Sequence, residues 1–292
     1  VNARPRNVLV TGASTGIGRE GARALMRAGY RVFAGVRKQR DVDALREDHL
    51  TPVLLDVTED ESVARALHEI TAHTGEDGLY ALVNNAGIAI GGPLEAISID
   101  EVRAQFEVNV IGLLRVTQAF LPLLRRANAA RKTSREARAR IVNIGSMSGR
   151  IATPFLGPYC MSKFAVEAMT DALRMELLPF DIEVVVLEPG RVKTEIWAKG
   201  AESARTVSST LEAPMVELYG PYLPGVVAAV VKTGETAIST THTDRALLKA
   251  LSDEKPRTHV PIAKGGRAVL VLKALFPVAS LDRMVKKMMG FA

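Results

Sequence analysis

The chain has 292 residues, a formal net charge of +6, 47% hydrophobic residues and one cysteine. That length fits one large α/β domain with a deep apolar core, and a composition rich in Ala, Val and Leu but poor in aromatics suits helix-on-sheet packing rather than disorder. A lone Cys160 excludes an internal disulfide framework and a multi-cysteine metal site and fits a reducing, cytoplasmic setting; the positive charge alone does not choose among a phosphate-rich cofactor, nucleic acid and a lipid surface.

The opening segment, Val1 to Arg6, is short and polar, with no secretory n-region and h-region, so the protein is expected to stay inside the cell. Short β-branched or apolar runs follow at Asn7–Val10, Arg31–Val36, Pro52–Val57, Leu79–Val83, Arg140–Ile144 and Glu183–Leu187, separated mostly by longer segments of helical period. Alternating strands and helices predict a parallel sheet. Near-continuous apolar strands predict cover on both faces, and right-handed crossovers wind such strands into a doubly wound α/β fold that binds ligands at the strands' carboxyl ends.

The first strand runs into Thr11-Gly12-Ala13-Ser14-Thr15-Gly16-Ile17-Gly18, and helix-forming residues follow from Arg19 to Ala28. Glycine tolerates positive φ and lets backbone approach a pyrophosphate, whose charge is stabilised by free N–H groups and the helix dipole. A strand before this turn and another soon after the helix supply the context of a dinucleotide site. Gly12, Ser14, Thr15, Gly16, Ile17 and Gly18 are its candidate residues.

The end of the second strand reads the cofactor's ribose. An NAD site usually places an acid there, but this chain has Val36 followed by Arg37 and Lys38. A 2′-phosphate would meet positive charge and a possible bidentate fork from Arg37, which favours NADP(H) over NAD(H). The bland reading is a solvated loop that admits either cofactor. Asp41 lies too far along to replace the missing acid.

From Arg125 to Arg140 the chain carries seven Lys/Arg (Arg125, Arg126, Arg131, Lys132, Arg135, Arg138 and Arg140) against Glu136 alone. No aromatics interleave to stack bases, so a solvated helix extension is expected and nucleic-acid binding is not. Beyond it, Tyr159 and Lys163 stand i, i+4 at the start of a helical segment running to about Leu178, sharing one face. A free phenol titrates near 10, and bringing it to neutrality takes roughly 4 kcal/mol, for which a neighbouring cation is the obvious source. Tyr159 can then serve as acid or base with Lys163 as its tuner. Ser146, just after the fifth strand, is suited to donate to a carbonyl oxygen that gathers negative charge. Singly, a Tyr, a Ser and a Lys read as core, turn and solvated charge; together on this scaffold they read as catalytic. Asn109 lies within a helix, where it either functions or distorts locally. Cys160 reads as buried packing.

After Gly190 the periodicity becomes irregular, and Ala201–Gly225 reads as a substrate lid. A helix over Asp244 to Leu251, a short strand over Arg257–Ile262 and a helical tail from Arg267 complete one domain, with its core in 7–190 and the lid and extension in 191–292. The apolar stretch Ala268–Leu281, broken by Lys273 and Pro277, falls short of the roughly 20 residues of a spanning helix. Lys273, Arg283, Lys286 and Lys287 admit peripheral membrane contact, though docking onto the domain or a subunit is the favoured reading. Apolar residues at Ile151–Leu156, Trp197 and Met215–Leu223 read equally as a wide greasy pocket or as ordinary core. His49, His68, His73, His242 and His259 have no ligand spacing, and no metal is expected.

The Thr-Gly-x-x-x-Gly-x-Gly turn, Asp56, Asn84-Asn85-Ala86-Gly87, Asn109, Ser146, Tyr159-Cys160-Met161-Ser162-Lys163 and Pro189-Gly190-Arg191-Val192-Lys193-Thr194 resemble, in order and spacing, the short-chain dehydrogenase/reductase family. The resemblance covers about the first two thirds of the chain. More loosely, the tail is similar to that of retinol- and hydroxysteroid-dehydrogenase-like members. It implies a Rossmann-like fold and hydride exchange between nicotinamide and an alcohol or carbonyl carbon of a hydrophobic small molecule. It places Asp56, with Val57 beside it, at the adenine and Asn84, Ala86 and Gly87 at the ribose. Pro189 and Gly190 would lead to Val192 and Thr194 at the nicotinamide amide. Asp56 and Thr194 read alone could equally cap helices. The resemblance further implies that Lys163 holds the nicotinamide ribose, that a proton path runs toward Asn109, and that the protein is a homodimer or homotetramer. An epimerase or dehydratase on the same fold, and a cofactor-binding regulator, are the rival functions.

Overall fold

In the computed structural model of the chain, which describes residues 5–46, 50–131, 138–194, 212–263 and 265–289, the apolar runs form strands β1 (Asn7–Val10), β2 (Arg31–Val36), β3 (Leu50–Leu54), β4 (Ala81–Asn84), β5 (Arg140–Ile144), β6 (Glu183–Pro189) and β7 (His259–Ile262). All pair in parallel, in the order β3-β2-β1-β4-β5-β6-β7. The order reverses between β2 and β4 on either side of β1, and a doubly wound sheet opens its ligand crevice at such a reversal.

Helices α1 (Gly16–Arg27), α2 (Gln39–Ala44), α3 (Asp60–Thr74), α4 (Ile99–Phe106), α5 (Gly112–Arg131) and α6 (Gly157–Glu176) connect the first six strands. Strand alternation then sorts the apolar side chains onto two faces. Val8, Val10, Val32, Ala34, Val142 and Val185 pack with Leu25 of α1 and with Leu247 and Leu251 of α9 (Thr241–Ser252). Leu9, Phe33, Leu82, Ile141 and Val184 pack on the other face with Ile70 of α3 and with Val116, Phe120 and Leu124 of α5. α7 (Ala213–Tyr219) and α8 (Leu223–Glu235) occupy the expected lid region, and the tail divides into α10 (Gly266–Leu275) and α11 (Val278–Met289) around Pro277.

Four strands differ in their bounds from the sequence reading: β6 runs on to Pro189 rather than Leu187, β7 begins at His259 rather than Arg257, and β3 and β4 differ as well. β3 covers Leu50–Leu54 rather than Pro52–Val57, because Asp56 turns the chain: its Oδ1 accepts from the Thr58 amide at 2.9 Å and the Thr58 hydroxyl at 2.7 Å. β4 begins at Ala81 rather than Leu79, whose amide donates instead to the Leu123 carbonyl of α5 at 3.0 Å. In the tail, the Lys273 amine donates to the Arg150 carbonyl and sits 5.4 Å over the Phe164 ring, so α10 docks onto the domain. By length and hydropathy alone, the stretches Ile99–Ala130 and Ala213–Lys232 reach what a spanning helix needs; the first supplies core residues to the sheet.

The described part of the basic segment extends α5 to Arg131 and leaves Arg125 and Arg138 exposed, as its composition implies, but its cations also take partners. The Arg125 guanidinium lies 4.5 Å over the Phe180 ring, and Arg126 donates to the Gly75 carbonyl at 3.0 Å. Arg138 pairs with Asp181 and Glu183, each at 3.2 Å. Arg140 is wholly buried in β5, and its guanidinium donates to the carbonyls of Ala250, at 2.6 Å, and Asp253 at the carboxyl end of α9. It satisfies there the acceptors that every helix end leaves open. Lys132, Arg135 and Glu136 lie outside the described residues. Arg140→Ala leaves a cavity and orphans those carbonyls, and should cost about 3 kcal/mol in urea unfolding; an unchanged unfolding midpoint would show that Arg140 does not hold α9.

Candidate active site

The glycine-rich turn is built by close approach. Gly12 and Gly16 have φ of +63° and +58°, a region that other residues rarely enter. A Cβ on Gly12 would lie 2.7 Å from the Ala86 Cα, and one on Gly18 would lie 2.3 Å from the Asn85 amide nitrogen and 2.4 Å from the Gly12 carbonyl oxygen. Thr11 and Asn85 lock the two loops together. The Thr11 hydroxyl accepts from the amides of Asn85 and Ala86, both at 3.0 Å, while the Asn85 side chain donates to the carbonyls of Thr11 and Gly12, also at 3.0 Å. Neither residue was singled out from the sequence as a site residue, although both lie inside the motifs.

α1 starts directly from this turn. Its N-cap Thr15 makes no side-chain capping bond and its first turn carries no acid, so the positive helix end is left for an external anion. Thr194 approaches from the far side: a Cβ on Gly16 would touch its side chain at 3.4 Å. The turn thus lies between Ala86 and Thr194 at the carboxyl ends of β1 and β4. Ser14, Thr15 and Ile17 are partly exposed along it, which suits backbone contact with pyrophosphate.

The remaining candidates divide. Arg37 and Lys38 are exposed at the end of β2, where Lys38 precedes α2. Asp56 is partly exposed beyond β3, and its Oδ1 is committed to Thr58 rather than to capping α3, whose N-cap is Glu59. Val57 is buried beside it. The Asn84 side chain points into the sheet, donating to the Thr117 hydroxyl at 2.9 Å and to Asn143 at 3.0 Å, so only its backbone can face the cleft. Gly87 leaves room for the Asn109 carbonyl oxygen, 3.3 Å from where its Cβ would be. The Gly190 amide donates to the Ile262 carbonyl at 3.0 Å, and Val192 is buried in a bridge to Ile238, which fixes the chain from Pro189 to Thr194.

Ser146, Tyr159 and Lys163 converge at the end of β5. Ser146 is buried; its oxygen accepts from the Ser148 amide at 3.0 Å, its hydroxyl donates to the Pro189 carbonyl at 3.4 Å, and it lies near enough to the Tyr159 phenol to pull on its titration. The Lys163 amine lies 5.8 Å from the Tyr159 ring centre and donates to the Ile144 carbonyl at 2.7 Å. Burial lowers its pKa to about 8, with the charge of Glu167 opposing that fall. The expected depression of the phenol is not what the folded chain alone imposes: burial raises the Tyr159 pKa, and Ser146 pulls against it. Tyr159 therefore rests protonated at neutral pH.

Asn109 stands at the local distortion that its sequence context allowed. It occupies a π-helical turn, Glu107–Ile111, between α4 and α5, and its side chain is buried and fully bonded. Its oxygen accepts from the Ile88 amide at 2.9 Å; its nitrogen donates to the Ile88 carbonyl and to the Ser162 hydroxyl, both at 3.0 Å. It thereby ties the loop after β4 to α6 between Tyr159 and Lys163. Cys160 is buried, and its sulfur accepts from the Thr153 amide at 3.4 Å, consistent with packing.

Phe155, just ahead of α6, holds a left-handed φ of +62° and meets Tyr219 of α7 edge-on at 6.2 Å. The Tyr219 hydroxyl donates to Glu95 at 2.5 Å, so α7 lies against the loop after β4 as well as against Phe155. Backbone strain of this kind at a bulky residue tends to mark a functional wall. Trp197 and most of the segment read as a lid up to Leu211 lie outside the described residues. One grouping the sequence reading missed joins distant residues: Glu167, Glu188 and His259 bring ligand-type atoms within 4.8 Å of one another. Arg150 pairs with the carboxylates there, 2.8 Å from Glu188 and 3.7 Å from Glu167.

The family model for short chain dehydrogenase matches residues 6–204. Over 210 residues, 70% of this chain and 72% of the relative, the sequence is 40% identical to an NADPH-dependent 3-dehydrocapnine reductase of Ornithobacterium rhinotracheale. Over 284 residues, 94% of this chain and 86% of the relative, it is 34% identical to 17-beta-hydroxysteroid dehydrogenase type 6 of Homo sapiens. Among solved structures, a short chain dehydrogenase from Burkholderia cenocepacia J2315 in complex with NADP superposes with a TM-score of 0.71 at 28% identity, covering 96% of this chain and 97% of that one.

Gly18→Ala forces a methyl group into the Asn85 amide and the Gly12 carbonyl, and the turn must open to admit it. Titration with NADP(H), followed by nucleotide fluorescence, should show affinity reduced by about tenfold or more, ~1.4 kcal/mol. Parental affinity in the variant would mean that the cleft does not hold the dinucleotide.

Proposed function

The chain belongs to the short-chain dehydrogenase/reductase family, and on that premise we propose that it is an NADP(H)-dependent enzyme interconverting a hydrophobic secondary or primary alcohol and its ketone or aldehyde. The observation that carries this reading is the convergence of Ser146, Tyr159 and Lys163 at the end of the cleft that starts at the uncapped, glycine-lined α1 terminus. When bound there, the nicotinamide supplies or accepts the hydride.

The chain's own residues do the rest. The turn from Gly12 to Gly18 seats the pyrophosphate, Arg37 and Lys38 face the 2′-phosphate, Asp56 and Val57 border the adenine, and Val192 and Thr194 border the nicotinamide amide. The Ser146 hydroxyl donates to the substrate oxygen, where negative charge gathers during reduction. Tyr159, protonated at neutral pH, gives its phenolic proton to that oxygen, and takes it back when the alcohol is oxidised. Lys163, as a buried cation beside the ring, stabilises the phenolate so formed and reaches toward the nicotinamide ribose. Asn109 fixes the wall between the β4 loop and α6.

A hydrophobic substrate is supported by the apolar wall of Phe155, Leu156 and Tyr219 beside Tyr159, and by similarity to a hydroxysteroid dehydrogenase. NADP(H) is supported by the exposed Arg37 and Lys38, and by an NADPH-dependent relative. Exposed Met161 and Phe164 on α6 favour pairing of subunits through that helix, as a homodimer or homotetramer. The buried single cysteine suits a cytoplasmic setting.

Tyr159→Phe keeps the ring and removes the proton, so kcat with a responsive carbonyl substrate should fall by about a hundredfold or more while NADPH affinity is kept; undiminished kcat would remove the phenol from the chemistry. Arg37→Ala should weaken NADPH by roughly tenfold and leave NADH almost unchanged, since only the former offers a phosphate to the guanidinium. Equal losses for both nucleotides would overturn the cofactor assignment.

A further inference from the structure

Behind Lys163 lies a group of charges that the proposed proton transfer does not use. Glu167 is one helical turn along α6 from Lys163, buried, and its carboxyl meets that of Glu188 from β6. Gly145 and Gly149, on either side of Ser146, let this face close. A Cβ at 149 would lie 2.7 Å from the Lys163 carbonyl oxygen and 3.1 Å from the Glu167 Cγ, and one at 145 would lie 2.8 Å from the Glu167 Oε1. The Ser146 turn is thus pressed directly against the Lys163–Glu167 edge of the helix.

The charges facing Glu167 come from every element packed on it. Arg150, after the Ser146 turn, lies 3.7 Å from its carboxylate; His259 of β7 lies at 3.5 Å; Glu188 of β6 bears on it from the sheet; and Asp171 and Lys163 flank it on α6. Two buried carboxyls sharing one arginine cannot both ionise cheaply, and the nearness of Glu188 raises Glu167.

We infer that Glu167 is a positioning residue for the reaction: its negative charge keeps the buried Lys163 side chain cationic beside Tyr159, and Glu188 limits how much of that charge is present. This rests on the reading that Tyr159 and Lys163 carry the proton transfer. The directions agree with the geometry. Burial, then Glu188, raises Glu167 to about 8, and burial lowers Lys163 to about 8 with Glu167 holding it up. As pH rises toward that value Glu167 ionises, and the charge it gains opposes the loss of the Lys163 proton. The pair extends the pH range in which the phenol faces a cation.

The test reads Lys163 directly. In protein labelled with carbon-13 lysine, the Cε resonance of Lys163, assigned by its loss in Lys163→Arg, is followed against pH in the parent, Glu167→Gln and Glu188→Gln. Removing the Glu167 charge should lower the Lys163 midpoint by about half a pH unit or more, roughly a threefold change in acidity. Removing Glu188 frees Glu167 to ionise earlier and should move the midpoint the opposite way. Should Glu167→Gln not fold, the upward shift in Glu188→Gln carries the test alone. An unmoved Lys163 midpoint in the folded variants overturns the inference even if the enzyme is active. Opposite shifts in a protein that turns over no alcohol or carbonyl would instead leave the electrostatic coupling standing and remove the proposed reaction. Where both hold, the alkaline limb of kcat should move with the lysine.

Discussion

Two missing methyl groups, at Gly12 and Gly18, decide where everything else sits. Only without them can the end of β1 lie against the Asn85 and Ala86 backbone while α1 begins on top of the Gly12 carbonyl. The Thr11 hydroxyl and the Asn85 amide then fasten this contact with bonds across the sheet's reversal point. The result is a helix end with open amides beside the strand termini that carry Ser146 and, through α6, Tyr159 and Lys163. The turn proposed to seat phosphate and the group proposed as acid/base are thereby brought to the same end of a single sheet by its topology.

Burial sets the chemistry of the other end. A phenol shielded from water holds its proton, while a lysine shielded from water tends to lose one, and the site sets the two side by side. A protonated phenol suits delivery of a proton to a substrate oxygen, and a cation beside it suits the phenolate left behind. The lysine's tie to the Ile144 carbonyl and the carboxyl charge one turn away counter its own desolvation. The lysine's neighbours on β5 and α6 are thus in place before any ligand arrives.

How much of this was legible in the sequence follows from whether a signal is local. β1, β2 and β5 are buried runs with clear ends, and they were read residue for residue. β3 was displaced because Val53, Leu54 and Leu55 continue the apolar run past the last ladder residue, and only the Asp56 turn stops it. The glycine spacing and the Tyr159–Lys163 interval lie within single elements and were visible. The division of labour between Asn84 and Asn85 was not, since it depends on which asparagine stands opposite Asn143 in the register. Arg140 read as one more charge in a basic segment because its partners, Ala250 and Asp253, are far along the chain. Glu167, Glu188 and His259 carry no common motif; only the adjacency of α6, β6 and β7 assembles them.

The account stands on hydride passing between the dinucleotide and a carbonyl carbon within this cleft, and isotope transfer tests that step most directly. The enzyme would be supplied, in separate reactions, with NADPH deuterated on one or the other face of nicotinamide C4 and a panel of hydrophobic ketones and aldehydes, and the alcohols analysed by mass spectrometry. Deuterium on the carbinol carbon from one face only, with stoichiometric formation of NADP, is the predicted result. Product formed without deuterium from either face, or no net oxidation of the nucleotide, would contradict it.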